Sequence, residues 1–269
     1  MNHKEKKMLA ILKNLKASHG ALSVKAEFEA EGTRIDELYR LVEIARRADM
    51  KIALKIGGCE AIRDLMESKQ IGVDYIIGPM VESPYALSKF IEAKNKVYSL
   101  EEQEDTEFLF NIETITTFNN LEAMIKIASD KEGVDGAVFG RVDFSGSLGL
   151  GREGINTQRI TDYAIQAAKL TRAVKLDYVV GGAVSVDTLP SLKEIYSNYL
   201  TRFETRKIIF DATALDSLDI SNGLIEAVHF ELLWLLNKRE YYKIITEEDD
   251  KRIDMLESRW KILSKEGLI

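Results

Sequence analysis

The 37 residues from Phe108 to Phe144, FLFNIETITTFNNLEAMIKIASDKEGVDGAVFGRVDF, set the reading of the whole chain. Phe108–Ile112 is a short apolar run of strand character, Leu121–Ser129 carries apolar residues at helical spacing, and Gly136–Phe139 is a second apolar run. A strand, a helix and a strand in that order, with both strands apolar on both faces, describe a parallel βαβ unit. Both strands then acquire charge where they end, Glu113 on the first and Arg141 and Asp143 on the second.

Working outward, the cycle repeats on both sides. Strand-like runs at Leu22–Phe28, Lys51–Ile56, Asp74–Ile77, Tyr178–Val180 and Lys207–Phe210 alternate with amphipathic stretches, among them Cys59–Ser68, Pro84–Ala93, Thr161–Thr171, Leu189–Tyr199 and Leu218–Leu236. Seven strands, each followed by a helix and with no compositional break, predict one α/β domain, a (β/α)8 TIM barrel of parallel strands over residues 21–240. Its first strand is hard to find, and the opening helix, residues 1–20, is expected to stand where the first βα unit normally lies. A doubly wound open sheet is the alternative. Residues 241–269 form a charged helical extension whose apolar positions (Ile253, Leu256, Trp260, Ile262, Leu263) need a barrel or a neighbouring subunit to pack on.

Composition narrows the chemistry. The 269 residues carry 37 Lys+Arg against 44 Asp+Glu, a net charge of −7, with no basic cluster, which disfavours nucleic-acid binding. A small anionic substrate held by a few local cations stays open. One cysteine, Cys59, and three histidines, His3, His19 and His229, leave no disulfide and no zinc-type ligand pair. A metal would need carboxylate oxygens, which suit Mg2+ or Mn2+. No apolar stretch is long enough for a signal peptide or a membrane span, so the expectation is a cytoplasmic protein with no membrane partner.

Charges recur at strand ends. Lys25 and Glu27 share one face of SVKAEFEAEG (residues 23–32), Lys55 precedes the Gly57-Gly58 pair, and Asp211 closes KIIFD. In a barrel these would converge on one C-terminal rim. Glu113 and Asp143, from successive strands, are the best metal pair. GRVDFSGSLGLG (140–151) and VVGGAVS (179–185), with Gly181 and Gly182, are candidate anion cradles. Glu204 and Arg206, in FETRKIIFD, fall before the last strand and are expected at the opposite, N-terminal end as a stabilising pair. His19, His229 and Cys59 read as structural.

The order IIGPMVES (76–83), IET (112–114) and VFGRVDFSGSLG (138–149) resembles the HpcH/HpaI aldolase/citrate lyase family, over about Val24 to Asp211. The resemblance implies a phosphoenolpyruvate/pyruvate-type barrel with Glu113 and Asp143 as ligands of Mg2+ or Mn2+. It also places the backbone at Val142–Asp143 on the substrate carboxylate, and implies a homo-oligomer, trimer or hexamer, with C-terminal helices packed across subunits. Two departures stand out. The family's substrate-binding arginine is replaced by Lys55, which cannot make a planar two-pronged contact. The family's Glu-His pair is Glu27-Phe28 or Glu29-Ala30 here.

The expected activity is a metal-dependent carbon–carbon lyase or aldolase acting on a short 2-oxo acid or a related acyl thioester. Lys55 and Arg141 would hold the substrate anion, with Val142, Gly181 and Gly182 around it, and Lys25 or Glu27 would move protons. A Schiff-base role for Lys25 or Lys55, and a barrel that has lost its chemistry and serves binding or assembly, are the competing readings.

Overall fold

The computed structural model describes residues 1–265. Eight strands close into one barrel in sequence order. They are β1 (Ala21–Glu27), β2 (Lys51–Lys55), β3 (Tyr75–Gly78), β4 (Glu107–Ile112), β5 (Gly136–Gly140), β6 (Asp177–Gly181), β7 (Arg202–Glu204) and β8 (Ile208–Asp211). The helices are α1 (His3–His19), α2 (Ile35–Arg47), α3 (Ile62–Ile71), α4 (Pro84–Val97), α5 (Ile115–Asn119), α6 (Leu121–Ala128), α7 (Arg141–Ser147), α8 (Gln158–Ala173), α9 (Leu189–Asn198) and α10 (Ile220–Lys265).

Each strand divides its residues by the period-2 rule. Ile52, Leu54, Ile76, Phe108, Phe110, Phe139, Tyr178, Val180 and Phe210 face the helices in the main core. Ala53, Ile77, Leu109, Val138, Val179 and Ile209 form a second apolar cluster inside the barrel. Below it, Arg202 closes the N-terminal end, paired with Asp177 at 2.6 Å and Glu107 at 2.8 Å and stacked over the Tyr75 ring. Above it, the inward positions turn polar, and that layer floors the site.

The expectation of uniformly parallel strands is corrected at one place. β1 to β7 run parallel, but β8 is antiparallel to both β7 and β1. Only Thr205, Arg206 and Lys207 join β7 to β8, a hairpin with no room for a crossover helix. The strand missing from the sequence reading is therefore β7, three residues long, and not the first. α1 does not replace a βα unit. It starts on an Asn2–Glu5 capping box, ends at Gly20 in left-handed geometry, and packs Met8, Leu12 and Leu15 between the barrel and α10.

The reversal also exchanges two predicted ends. Glu204 and Arg206 lie at the C-terminal rim. Asp211 lies at the opposite end, where its amide donates to the Gly20 carbonyl at 2.9 Å and its carboxylate caps Thr213. At the C-terminus, α10 runs through residues 240 and 241 without a break, so the expected boundary there falls inside one helix.

Candidate active site

The rim encloses a cavity of about 410 Å³, within the usual range for small-molecule sites. Lys25, Glu27, Lys55, Glu113, Val142, Asp143, Gly181 and Gly182, all singled out in the sequence, line it together. Glu29, Asn111, Arg152, Ala183, Glu204, Arg206, Val228 and Glu231 also line it and were not assigned to it.

Glu113 is the best-held carboxylate. Its Oε1 accepts from the Met80 amide at 2.8 Å, and its Oε2 accepts from Asn111 Nδ2 at 2.7 Å and Lys55 Nζ at 3.3 Å. Met80, after Pro79, holds a left-handed φ of 49°, a costly conformation for a non-glycine residue that aims its amide at Glu113. Lys55 also reaches Glu29 Oε2 at 3.0 Å. Burial alone would push Lys55 down, but Glu113, Glu29 and Glu27 together hold its pKa above the ordinary lysine value.

A second ionic group lies beside β7. Lys25 Nζ donates to Glu204 Oε1 and lies 3.3 Å from Glu27 Oε1. Burial opposes the charge on Lys25, yet Glu204 and Glu27 outweigh it and raise its pKa. Glu27 is shifted the other way: burial works against its charge, and Lys25 and Lys55 more than offset it.

Two glycines make room for these carboxylates. Gly140 and Gly181 are register partners on β5 and β6. A Cβ on Gly140 would come 3.0 Å from Glu113 Cβ, and one on Gly181 would come 2.8 Å from Glu204 Oε1. Gly182, at φ 86°, lies against the start of α7, where a Cβ would sit 2.8 Å from the Val142 nitrogen.

Arg141 requires a correction. Its guanidinium is buried and turned away from the cavity, donating to the Gly182 carbonyl at 2.6 Å, the Gly181 carbonyl at 3.3 Å and Asn156 Oδ1 at 3.1 Å. Burial lowers its pKa to about 10, which leaves it a cation at neutral pH. Arg141 thus fixes the β6 loop and is not placed to hold substrate. His19, His229 and Cys59 do not line the cavity.

The sequence model of HpcH/HpaI aldolase/citrate lyase matches residues 33–191, more than half of the chain. The chain belongs to the HpcH/HpaI aldolase/citrate lyase family. Its function is accordingly of the lyase or aldolase kind. Among solved structures, the barrel is similar to an HpcH/HpaI aldolase from Desulfitobacterium hafniense DCB-2, at 13% identity and TM-score 0.57, covering 78% of this chain and 84% of that one. It is also similar to an HpcH/HpaI aldolase/citrate lyase family protein from Burkholderia cenocepacia J2315, at 11% identity and TM-score 0.60, covering 88% and 90%. A citrate synthase variant aligns at 15% identity and TM-score 0.55, covering 74% and 81%. At these identities the likeness concerns the fold. No curated protein matches the sequence.

The family match covers Glu113 and Asp143 but stops short of β7, the hairpin and α10. Glu204, Arg206 and Glu231 are thus supplied by the part of this family member that lies outside it. Among the described residues no three His, Cys, Asp or Glu side chains gather as a complete metal cage.

Proposed function

We propose that the protein is a divalent-metal-dependent carbon–carbon lyase or aldolase acting on a short 2-oxo acid through the pyruvate enolate, or on a related acyl thioester. The observation that carries this reading is the charge of the cavity. Lys25, Lys55, Arg152 and Arg206 face Glu27, Glu29, Glu113, Asp143, Glu204 and Glu231, four cations against six carboxylates. A surplus of two negative charges repels an anionic substrate unless a cation joins it, and Mg2+ or Mn2+ supplies that charge.

The residues fit such an ion. Mg2+ commonly takes one or two carboxylates and keeps waters and substrate oxygens, so a three-carboxylate cage is not required. Asp143 makes no ion pair or hydrogen bond among the described residues and lines the cavity with Glu113. Asn111 Oδ1 is a buried acceptor without a partner in the same layer. Glu113 and Asp143 would hold the metal, which when bound polarises the 2-oxo group and offsets enolate charge.

The chain's own groups supply the rest. Lys55, fixed between Glu29 and Glu113, stands where the family resemblance puts the substrate-binding arginine and offers a point charge to the substrate carboxylate. The Val142 amide lies against Gly182, where no side chain fits. Lys25 is locked to Glu204 and Glu27 and keeps the floor polar. With their pKa values raised, Lys25 and Lys55 remain ammonium groups, which argues against a Schiff-base nucleophile.

The test is deuterium exchange into the methyl group of pyruvate with Mg2+ or Mn2+. Exchange should stop with chelator and in Glu113→Gln. Exchange that survives chelator and is trapped by borohydride would move the reading to a lysine aldolase. No exchange together with no metal binding would leave the binding or assembly reading.

A homo-oligomer is part of the proposal. α10 exposes Ile225, Leu232 and Leu235, and further on Ile253, Leu256 and Trp260, at spacings built from alternating three- and four-residue steps. A seam of that period fits another helix, and a second copy of this chain supplies one.

A further inference from the structure

We propose that Glu231, carried by the C-terminal helix α10, is the proton-transfer group of the site. This rests on the 2-oxo acid reading above and moves the proton-transfer step, expected of Lys25 or Glu27 from the sequence, to Glu231, because Lys25 and Glu27 are held in ion pairs with one another and with Glu204.

Most carboxylates at the rim are already committed to partners. Glu113 accepts three hydrogen bonds. Glu27 and Glu204 share Lys25, and Glu29 pairs with Lys55. Asp143 belongs with Glu113. Glu231 is left. It lines the cavity one helical turn from Val228, which lines it too, so this face of α10 forms part of the wall.

Its surroundings suit a group that must gain and lose a proton. Arg206 and Lys207 on the β7–β8 hairpin approach Glu231, but both pair with Glu31. Glu27, at the end of β1, and Glu31, in the loop after it, add like charge. No ion pair or hydrogen bond to Glu231 is present among the described residues. Burial and these acids raise its pKa against the pull of Lys207 and Arg206, towards the range where a carboxyl serves best as acid and base.

The position is also right. The charged neighbours of Glu231 are Glu27, Glu31, Arg206 and Lys207, on the β1 and hairpin side of the rim, whereas Glu113 and Asp143 follow β4 and β5. In an eight-stranded closed order β1 lies across the barrel from β5. A substrate whose 2-oxo acid end is held on the β4–β5 side of the rim would extend across the cavity towards the side that carries Glu231.

Cleavage of a 4-hydroxy-2-oxo acid needs one group that accepts a proton and later returns it. The ionised Glu231 takes the proton of the 4-hydroxyl, and the carbon–oxygen bond becomes a carbonyl. The C3–C4 pair passes into the C2–C3 enolate as that bond breaks, releasing an aldehyde. Glu231 then returns its proton to C3, giving the methyl group of pyruvate. No oxidant or further reactant is needed.

The test compares wild type with Glu231→Gln and Glu231→Asp in two measurements: pyruvate methyl exchange against pH, and calorimetric binding of oxalate, an enolate mimic, in the presence of Mn2+. Wild-type exchange should rise with pH through the raised pKa of Glu231, because the base must be ionised. Glu231→Gln should lower exchange about 100-fold or more and lose that limb, with oxalate binding within about threefold of wild type. Glu231→Asp should recover part of the rate. Exchange at the wild-type rate in Glu231→Gln overturns the assignment, and so does parallel loss of exchange and oxalate binding, which marks a structural role. Failure of wild type itself to exchange or to bind Mn2+ and oxalate overturns the enolate reading and the assignment with it.

Discussion

Lys25 and Glu204, 179 residues apart in sequence, meet at 2.5 Å beneath the cavity, both almost fully buried. The contact exists because β8 reverses: Glu204 ends β7 at the C-terminal rim and the chain turns back at once through Thr205–Lys207. Removing one partner leaves an uncompensated buried charge. Lys25→Met should destabilise the protein by about 3–5 kcal/mol in urea unfolding, and Lys25→Met with Glu204→Gln should recover a clear part of that loss. A loss in the double variant equal to the sum of the two single-variant losses would mean that the pair is not coupled.

The same cluster fixes the direction of the pH dependence. Lys25 has a folded pKa above its unfolded value, so its contribution is complete below about pH 10.5 and is lost as pH rises through the folded value. Glu27 is shifted down, so its contribution is present above about pH 4.5 and is lost as pH falls through the folded value. Stability between those limits should be flat for these two groups. Lys25→Met should remove much of the alkaline loss and, by taking away the ammonium that holds Glu27 down, shift the acid limb upward. Denaturation midpoints across pH measure both limbs.

How far the sequence could be read follows from these residues. Glu113 and Asp143 were legible because each acid interrupts or follows an apolar strand where nothing but a rim position explains it. Glu204 was not, because three residues in TRFETRK carry no alternation, and counting strands put the missing one at the start. Its misplacement carried Arg206 and Asp211 to the wrong ends of the barrel. Arg141 was legible as a strand-end charge but not in direction: it begins the short helix α7, and its guanidinium turns to the β6 loop. Glu231 is one acid among many on a long helix, and only the packing of α10 distinguishes it from a surface residue.

Gly182 tests the loop that Arg141 pins. With φ at 86°, a side chain is strained there whatever the space, and an added Cβ would come 2.8 Å from the Val142 nitrogen and 2.9 Å from that of Arg141. Gly182→Ala should cost about 1–3 kcal/mol. It should also raise KM for a 2-oxo acid more than Gly58→Ala, where the added Cβ meets nothing within 4 Å. Unfolding and steady-state kinetics on both variants check the difference.

Lys55 tests the other side of the site. It is the ammonium that Glu113 faces, and Glu113 is about 1% exposed. Lys55→Met should destabilise the fold, because Glu113 keeps only the Met80 amide and Asn111 against its burial. Lys55→Arg supplies a planar fork that can reach Glu29 and the substrate carboxylate together. It should preserve the fold and lower KM for the 2-oxo acid. If Lys55→Met binds substrate as tightly as wild type, Lys55 serves only to balance the two acids.

α10 runs well past the barrel. Every described residue from Lys243 to Ser264 except Leu263 is exposed, and this segment continues roughly 30 Å of helix away from the barrel. Leu232, Leu256 and Trp260 stand on the seam and are each more than half exposed. In an isolated chain such apolar positions stabilise nothing; against a second copy each buries area worth about 1.5–3 kcal/mol. Wild type at tens of micromolar should run as an oligomer by light scattering, and Leu256→Glu with Trp260→Glu should shift it to monomer. The barrel should keep its thermal transition, because these side chains touch none of its core. A monomeric wild type would remove the seam's function and leave the extension unexplained by self-association.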